Sequence, residues 1–169
     1  MKSWLDGLRR EIEEAAGGLT GGDWGRAPEG RWNSAQIVEH LGRTYGGTAK
    51  MLEKSLSAND GSGPQPRPIT LKQRWSQFLV VRMGRFPSER QAPSFTLPEG
   101  KPGPQALQSA LGGLARMQAA LDAAEQRWGK RQRLGVHVFF GPMTAEQWRK
   151  FHYLHGHHHA RQIRERSGK

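Results

Sequence analysis

Five of the chain's seven histidines fall within eight residues, from His152 to His159, inside the segment TAEQWRKFHYLHGHHHARQIRER (Thr144 to Arg166). Thr144 followed three residues later by Gln147 is a capping-box start, and no proline or glycine interrupts the next eleven residues after Thr144. At 3.6 residues per turn, Trp148, Phe151, His155, His159 and Ile163 fall on one helical stripe. His155 and His159 therefore lie one turn apart and point inward together, and two imidazoles at i and i+4 can bind one metal ion. His157 falls on the opposite face and is expected in solvent. His158 sits at the flank, and His152 returns to the metal-side face one turn earlier. The run is broken and lies inside an amphipathic pattern, so it belongs to the fold and is not an affinity tag.

The remaining elements must bring a partner to that face. The spacing predicts a first helix from Ser3 to Ala16, capped by Ser3, with Trp4, Leu8, Ile12 and Ala15 as its apolar stripe and Gly17–Gly18 as its stop. Residues 20–31 are rich in glycine and proline and read as an ordered loop, with Trp24 and Trp32 as anchors. Asn33 caps a second helix running to about Ser57, in which Ile37, His40, Leu41, Thr44, Thr48, Met51 and Leu52 share a face. Taken alone, a histidine in that company is more often a buried residue bonded to a neighbour than a ligand. After a glycine- and proline-rich loop comes a third, shorter helix from Leu71 to about Arg85, with Leu71, Trp75, Phe78, Leu79 and Arg82 in register. Residues 86–103 hold four prolines and are too long for a simple connector, so they are expected to cover something. A fourth helix runs from Pro104 to Trp128 on Leu107, Leu111, Leu114, Met117, Leu121 and Ala124, and Gly112–Gly113 within it points to close helix packing or a kink. The HVFFGPM segment that follows admits two readings. His137 and Phe139–Phe140 either border the active site or, for the two phenylalanines, plug the space under the last helix.

At 169 residues the chain is one domain with room for a real core. Four long amphipathic helices plus one shorter segment, with no alternating strands, argue for an all-α bundle with long connecting loops. Trp75, Phe78, Leu111, Leu114, Leu121, Phe151 and Leu41 are expected to be mostly buried. There is no cysteine, which excludes disulfides, thiolate metal sites and a cysteine nucleophile. No segment has the pattern of a signal peptide or the length of a membrane span, and a soluble, cytoplasmic protein is expected. The formal charge is +11, and ten lysines and arginines against two glutamates from Arg127 onward place most of the excess at the C-terminal end. That end either attracts an anion or is a solvated basic surface, and the second reading is favoured. No nucleic-acid motif accompanies the charge, so a nucleic-acid partner is not expected.

The run RWNSAQIVEHL, with Trp32 before a helix and His40 closing its second turn, resembles the first signature of the DinB-like superfamily. HGHHHARQI resembles its second, and VFFGPMTAEQWRKFHYLH is similar to one branch in which an FFG turn leads directly into the final helix. The pair stands in order and about 115 residues apart. The resemblance covers both ends of the domain and residues 58–130 hardly at all. It implies an up-down-down-up four-helix bundle with a three-histidine metal site at one end, and residue by residue its ligands are His40, His155 and His159. Most of the family has Arg-Gly-Gln after the last histidine, whereas Ala160–Arg161–Gln162 follows His159 here, so the role of that arginine does not carry over.

Three neutral imidazoles would leave a divalent ion its +2 charge and an open position, which is the pattern of a catalytic rather than a structural site. Zinc is the first expectation, and imidazole also suits nickel, iron and copper. Gln162 lies on the ligand stripe and can orient one ligand or a substrate. His152 and His137 are the candidate proton carriers. The resemblance points to an enzyme acting with a low-molecular-weight thiol cosubstrate, since characterised relatives include thiol-dependent transferases and isomerases. The alternatives are a hydrolase using metal-bound hydroxide and a non-enzymatic, stress-related metal-binding or interaction module. The expected partner is a small-molecule substrate, with a homodimer left open and no membrane.

Overall fold

The computed structural model describes residues 4–58, 63–64, 68–82 and 92–168. Four long helices form the bundle: α1 (Trp4–Ala16), α3 (Ser34–Ser57), α5 (Gly103–Trp128) and α6 (Ala145–Ser167). Between them stand the short helices α2 (Gly21–Gly25) and α4 (Leu71–Gln77), a π-helical turn over Phe78–Arg82, a 3-10 turn over Ser94–Thr96, and a hairpin of β1 (Arg133–His137) and β2 (Gly141–Thr144). The capping residues act as their types dictate. Asn33 Oδ1 accepts from Gln36 N at 2.8 Å while Gln36 Oε1 accepts from Asn33 N at 2.9 Å, and Thr144 with Gln147 repeats the exchange at the start of α6. Ser3, the end of the third helix beyond Arg82, residues 86–91 and much of the loop before Thr70 lie outside the described residues.

Each amphipathic stripe finds a partner. α3 lies along α5 and α1 along α6, and Leu5, Leu8, Ile12, Leu41, Tyr45, Leu52, Met117 and Leu121 fill the space between them. The Gly112–Gly113 pair resolves into close packing at its second member. A Cβ on Gly113 would stand 3.3 Å from Gly42 O and Gly46 N of α3, so the two backbones approach here because neither carries a side chain between them. Leu41, Leu114, Leu121 and Phe151 are buried, and Leu111 is partly so.

Three local expectations are corrected. Residues 20–31 are not loop throughout, because Thr20 and Asp23 form a capping box that winds Gly21–Gly25 into a short helix. It carries Trp24 inward, against Gly103, where a Cβ would overlap the indole. The segment after α5 is not strandless: Leu134 pairs with Met143 and Val136 with Pro142, with an irregularity at Gly135, whose φ is +53°.

The third correction concerns α4. Trp75 and Phe78 are 64% and 47% exposed and Leu71 is exposed as well, so the expected stripe faces outward. Gln77, Val80 and Val81 are buried instead. Gln77 Nε2 donates to Phe140 O at 2.8 Å and to Pro142 O at 3.0 Å, which clamps the inner face of α4 to the hairpin. Leu71 and Trp75 precede the π turn, so the Gln77 clamp is what turns their face outward, and the turn adds a residue to the register only beyond Gln77.

Candidate metal centre

His40 comes from the second turn of α3, and His155 and His159 from successive turns of α6. The three rings meet where α6 crosses α3. His155 Nε2 lies 3.3 Å from His40 Nε2 and 3.1 Å from His159 Nε2, and the three donor atoms fall within 4.8 Å of one another. Two imidazole nitrogens bound tetrahedrally to one zinc ion stand about 3.3 Å apart, so the spacing already suits a shared ion.

The second nitrogen of two of these rings settles which proton each carries. His40 Nδ1 is 2.9 Å from the carbonyl oxygen of Thr96, and His159 Nδ1 is 2.8 Å from Gln162 Oε1. An oxygen acceptor requires N–H at Nδ1, so the neutral rings turn bare Nε2 lone pairs toward His155. A single Nε2–H on His155 can satisfy only one of them, whereas a cation satisfies all three.

All three imidazoles are held neutral. Burial lowers the His40 pKa against the opposing pull of the Thr96 carbonyl. Burial, and then the neighbouring His159 and His40, push His155 well below the ordinary value. His159 is pushed down to about 3, first by burial and then by His40. Neutral imidazole is the form a metal ion takes.

The long proline-containing segment does cover something. Its Phe95–Thr96 portion lies over His40, and α3 grips the segment through Glu39 and Arg43 on either side of that histidine. Glu39, buried beside His40, accepts from Gly100 N at 3.0 Å and from Lys101 N at 2.9 Å. Those backbone bonds hold its carboxyl below the usual range even though burial, the largest influence, pushes the other way. Arg43 Nε donates to Phe95 O at 3.2 Å, and its Nη1 pairs with Glu99 at 2.8 Å. Glu39 and Thr96 escaped the sequence reading. A carboxylate beside a histidine on an apolar face was a signal for Glu39, but a backbone carbonyl such as that of Thr96 leaves none.

The cluster opens into a cavity of about 1290 Å³ between α3, α6, the covering segment and the hairpin. Met51, Val136, Phe139, Phe140 and Phe151 give it apolar walls, and Arg31, Arg161 and Arg166 line it together with Gln162. Phe140 is also buried against Phe151, so the HVFFG segment both borders the cavity and plugs the space under α6.

The candidate proton carriers separate here. His137 lines the cavity, with Phe151 between it and the cluster: its ring meets Phe151 edge-on at 4.7 Å, and Phe151 stacks on His155 at 5.7 Å. Its Nδ1 accepts from Phe139 N at 3.1 Å, so the neutral ring carries its proton on Nε2, and burial pushes its pKa down to about 4. His152 does not line the cavity. It is buried against Trp148, and its Nε2 lies 3.1 Å from the Thr48 hydroxyl. His157 is exposed, 2.7 Å from Glu11 of α1, and His158 Nε2 accepts from Gln162 Nε2 at 3.1 Å.

Of the C-terminal basic excess, Arg149 pairs with Asp122 and Glu125, and Arg161 with Glu165. No helix among the described residues is long and apolar enough to cross a membrane. No curated protein and no solved structure matches the chain. The family model of the DinB superfamily matches residues 5–163, nearly the whole of the bundle just described, and the chain belongs to that superfamily.

Proposed function

We propose that this chain is a metal-dependent enzyme that transfers a low-molecular-weight thiol onto an electrophilic small molecule. The observation that carries the reading is the convergence of the three Nε2 atoms of His40, His155 and His159 at the wall of a large cavity. A divalent ion held by three neutral imidazoles keeps its +2 charge and an open position, and it lowers the pKa of a thiol or water brought to it. Zinc is the first candidate, with nickel, iron and copper also suited to imidazole.

The protein's own residues supply the rest. Thr96 O and Gln162 fix the tautomers of His40 and His159, so their lone pairs need no reorganisation. The apolar wall of Met51, Val136, Phe139 and Phe151 can hold an organic electrophile and exclude water beside it. His137, with its low pKa, is a poor proton acceptor near neutrality and serves better as a neutral N–H donor to charge developing on the electrophile. In the transfer, the thiol S–H bond breaks and a sulfur–carbon bond forms. The leaving group departs with its bonding electrons and is matched by the proton released from sulfur.

The test is a screen of zinc-loaded protein for thiol consumption, with glutathione and 1-chloro-2,4-dinitrobenzene as first probes. Consumption that depends on metal and disappears in His155→Ala supports transfer. Metal-dependent turnover of an ester or amide in thiol-free buffer, indifferent to added thiol, would replace it with hydrolysis. Neither activity across the screen, with metal bound, would leave a non-enzymatic metal-binding module.

A further inference from the structure

Beside the histidine cluster the cavity also carries arginines that the metal centre does not use. A smaller cavity of about 500 Å³ adjoins it, lined by Arg26, Arg31, Gln162, Glu165 and Arg166, and the two cavities share Arg31, Gln162 and Arg166. Arg166 is set rigidly there. Its Nε donates to Trp32 O at 2.7 Å and its Nη1 to Gln162 O at 2.8 Å. Both anchors belong to the metal centre's own frame, since the Trp32 ring lies 5.1 Å from that of His40 and the Gln162 side chain holds His159. A guanidinium has five N–H donors, so among the described residues three remain on Arg166.

The charges around this group are unevenly matched. Arg26 pairs with Asp23 and Glu165 with Arg161. Among the described residues neither Arg31 nor Arg166 makes an ion pair. Burial is the largest influence on the Arg166 guanidinium and lowers its pKa; Glu165 opposes that, and Arg31 adds to it as a like charge nearby. Two arginines facing one space, one of them partly buried and tied to carbonyls, are a costly arrangement that an anion would relieve.

We propose that Arg31 and Arg166 form an anion subsite that takes a carboxylate or phosphate of the substrate whose reactive atom lies at the histidine cluster. The inference rests on the reading of this cavity as the substrate site, and it adds a requirement on the ligand. The Arg166 side chain reaches back along α6 to the carbonyl of Gln162, three residues from His159, so its guanidinium and the histidine cluster border the same cavity. The ligand therefore carries an anionic group beside its metal-seeking atom and is not a small uncharged thiol.

The experiment uses the full chain in zinc-free and zinc-loaded forms, with binding measured by calorimetry. Two probes lack a free thiol: S-methylglutathione, which carries carboxylates, and pyrophosphate, which carries phosphate. Binding of either probe that weakens about tenfold or more in both Arg166→Gln and Arg31→Gln, with zinc stoichiometry unchanged, is the expected result, since each variant loses a charge-assisted contact. The probe that binds identifies the anion. Exposed Arg31 can be changed without disturbing packing, so the test survives if Arg166→Gln folds poorly. No binding of either probe, or equal binding in wild type and Arg31→Gln, overturns the subsite. Binding lost in the variants while no thiol is consumed by the zinc-loaded protein would keep the subsite and remove the transfer reading.

Discussion

His159 Nδ1 lies 2.8 Å from Gln162 Oε1, and the bond it makes there leaves Nε2 of the same ring bare, 3.1 Å from His155 Nε2. The two residues are three apart on α6, so the helix itself supplies the outer partner that fixes the ligand's tautomer. Gln162→Leu should weaken divalent-metal binding about 10- to 100-fold, as loss of an outer-shell partner does, while helicity is unchanged. Gln162→Glu keeps an acceptor at that position and should largely restore affinity. Competition with a chromogenic chelator measures both. Equal affinity in wild type and Gln162→Leu would show that the bond does not orient the ring.

Removal of the metal should leave the bundle folded. Leu8, Ile12, Leu41, Tyr45, Met117 and Leu121 are buried without reference to the histidine cluster, and their burial supplies the driving force. A bound ion should still add about 3–4 kcal/mol when its free concentration is about 100 to 1,000 times Kd. Circular dichroism before and after chelation checks this, and collapse of the helical signal at room temperature would refute it.

Stability should fall as the pH drops below about 6.5, the ordinary histidine value. Half-buried His137 and buried His152 are held neutral, with pKa values pushed down to about 4 and about 3, mainly by desolvation. The unfolded chain therefore takes up protons at these positions before the folded chain does. Their contribution is complete above about 6.5 and lost toward the folded values, at up to about 1.4 kcal/mol per pH unit for each group. Urea midpoints at pH 7.5 and 5.5 on metal-free protein should show the loss, and His152→Leu should reduce it by that group's share, the cluster histidines adding theirs in the absence of metal. A midpoint that does not change between those pH values would contradict the burial of these rings.

The α1–α6 contact depends on Gly156. A Cβ there would stand 2.5 Å from Leu8 Cδ1 and 2.6 Å from Tyr45 Oη, so Gly156→Ala should cost about 1–3 kcal/mol. Gly112→Ala, where a Cβ meets nothing within 4 Å, should instead add about 0.5–1 kcal/mol by restricting the unfolded chain. Chemical denaturation of the two variants should give midpoints displaced in opposite directions.

Much of this arrangement is legible in the residues themselves. The positions of His155 and His159 follow from helical periodicity, because α6 is long and regular and its start is marked by Thr144 and Gln147. The partnership of His40 with them required the resemblance, since no local rule links residues 115 apart in the chain. The outward face of Trp75 and Phe78 was hidden because Gln77, a polar residue, takes the inner face by bonding the hairpin carbonyls, a tertiary effect. The hairpin itself is only five and four residues long, with Gly135 and Pro142 breaking its pattern, so propensity alone argues against it. The Arg31–Arg166 pairing is likewise invisible in the sequence, where the two residues are far apart and look like ordinary surface charge.

The central claim is that one metal ion is held by these three histidines, and metal analysis of protein purified without an affinity tag tests it most directly. Wild type should carry up to one divalent ion per chain. His40→Ala, His155→Ala and His159→Ala should each lose tight binding, while His157→Ala, whose ring is exposed against Glu11, should keep it. Equal loss in all four variants would mean that the histidine run binds metal as a surface cluster, and metal retained in His40→Ala and His155→Ala would contradict the three-histidine centre.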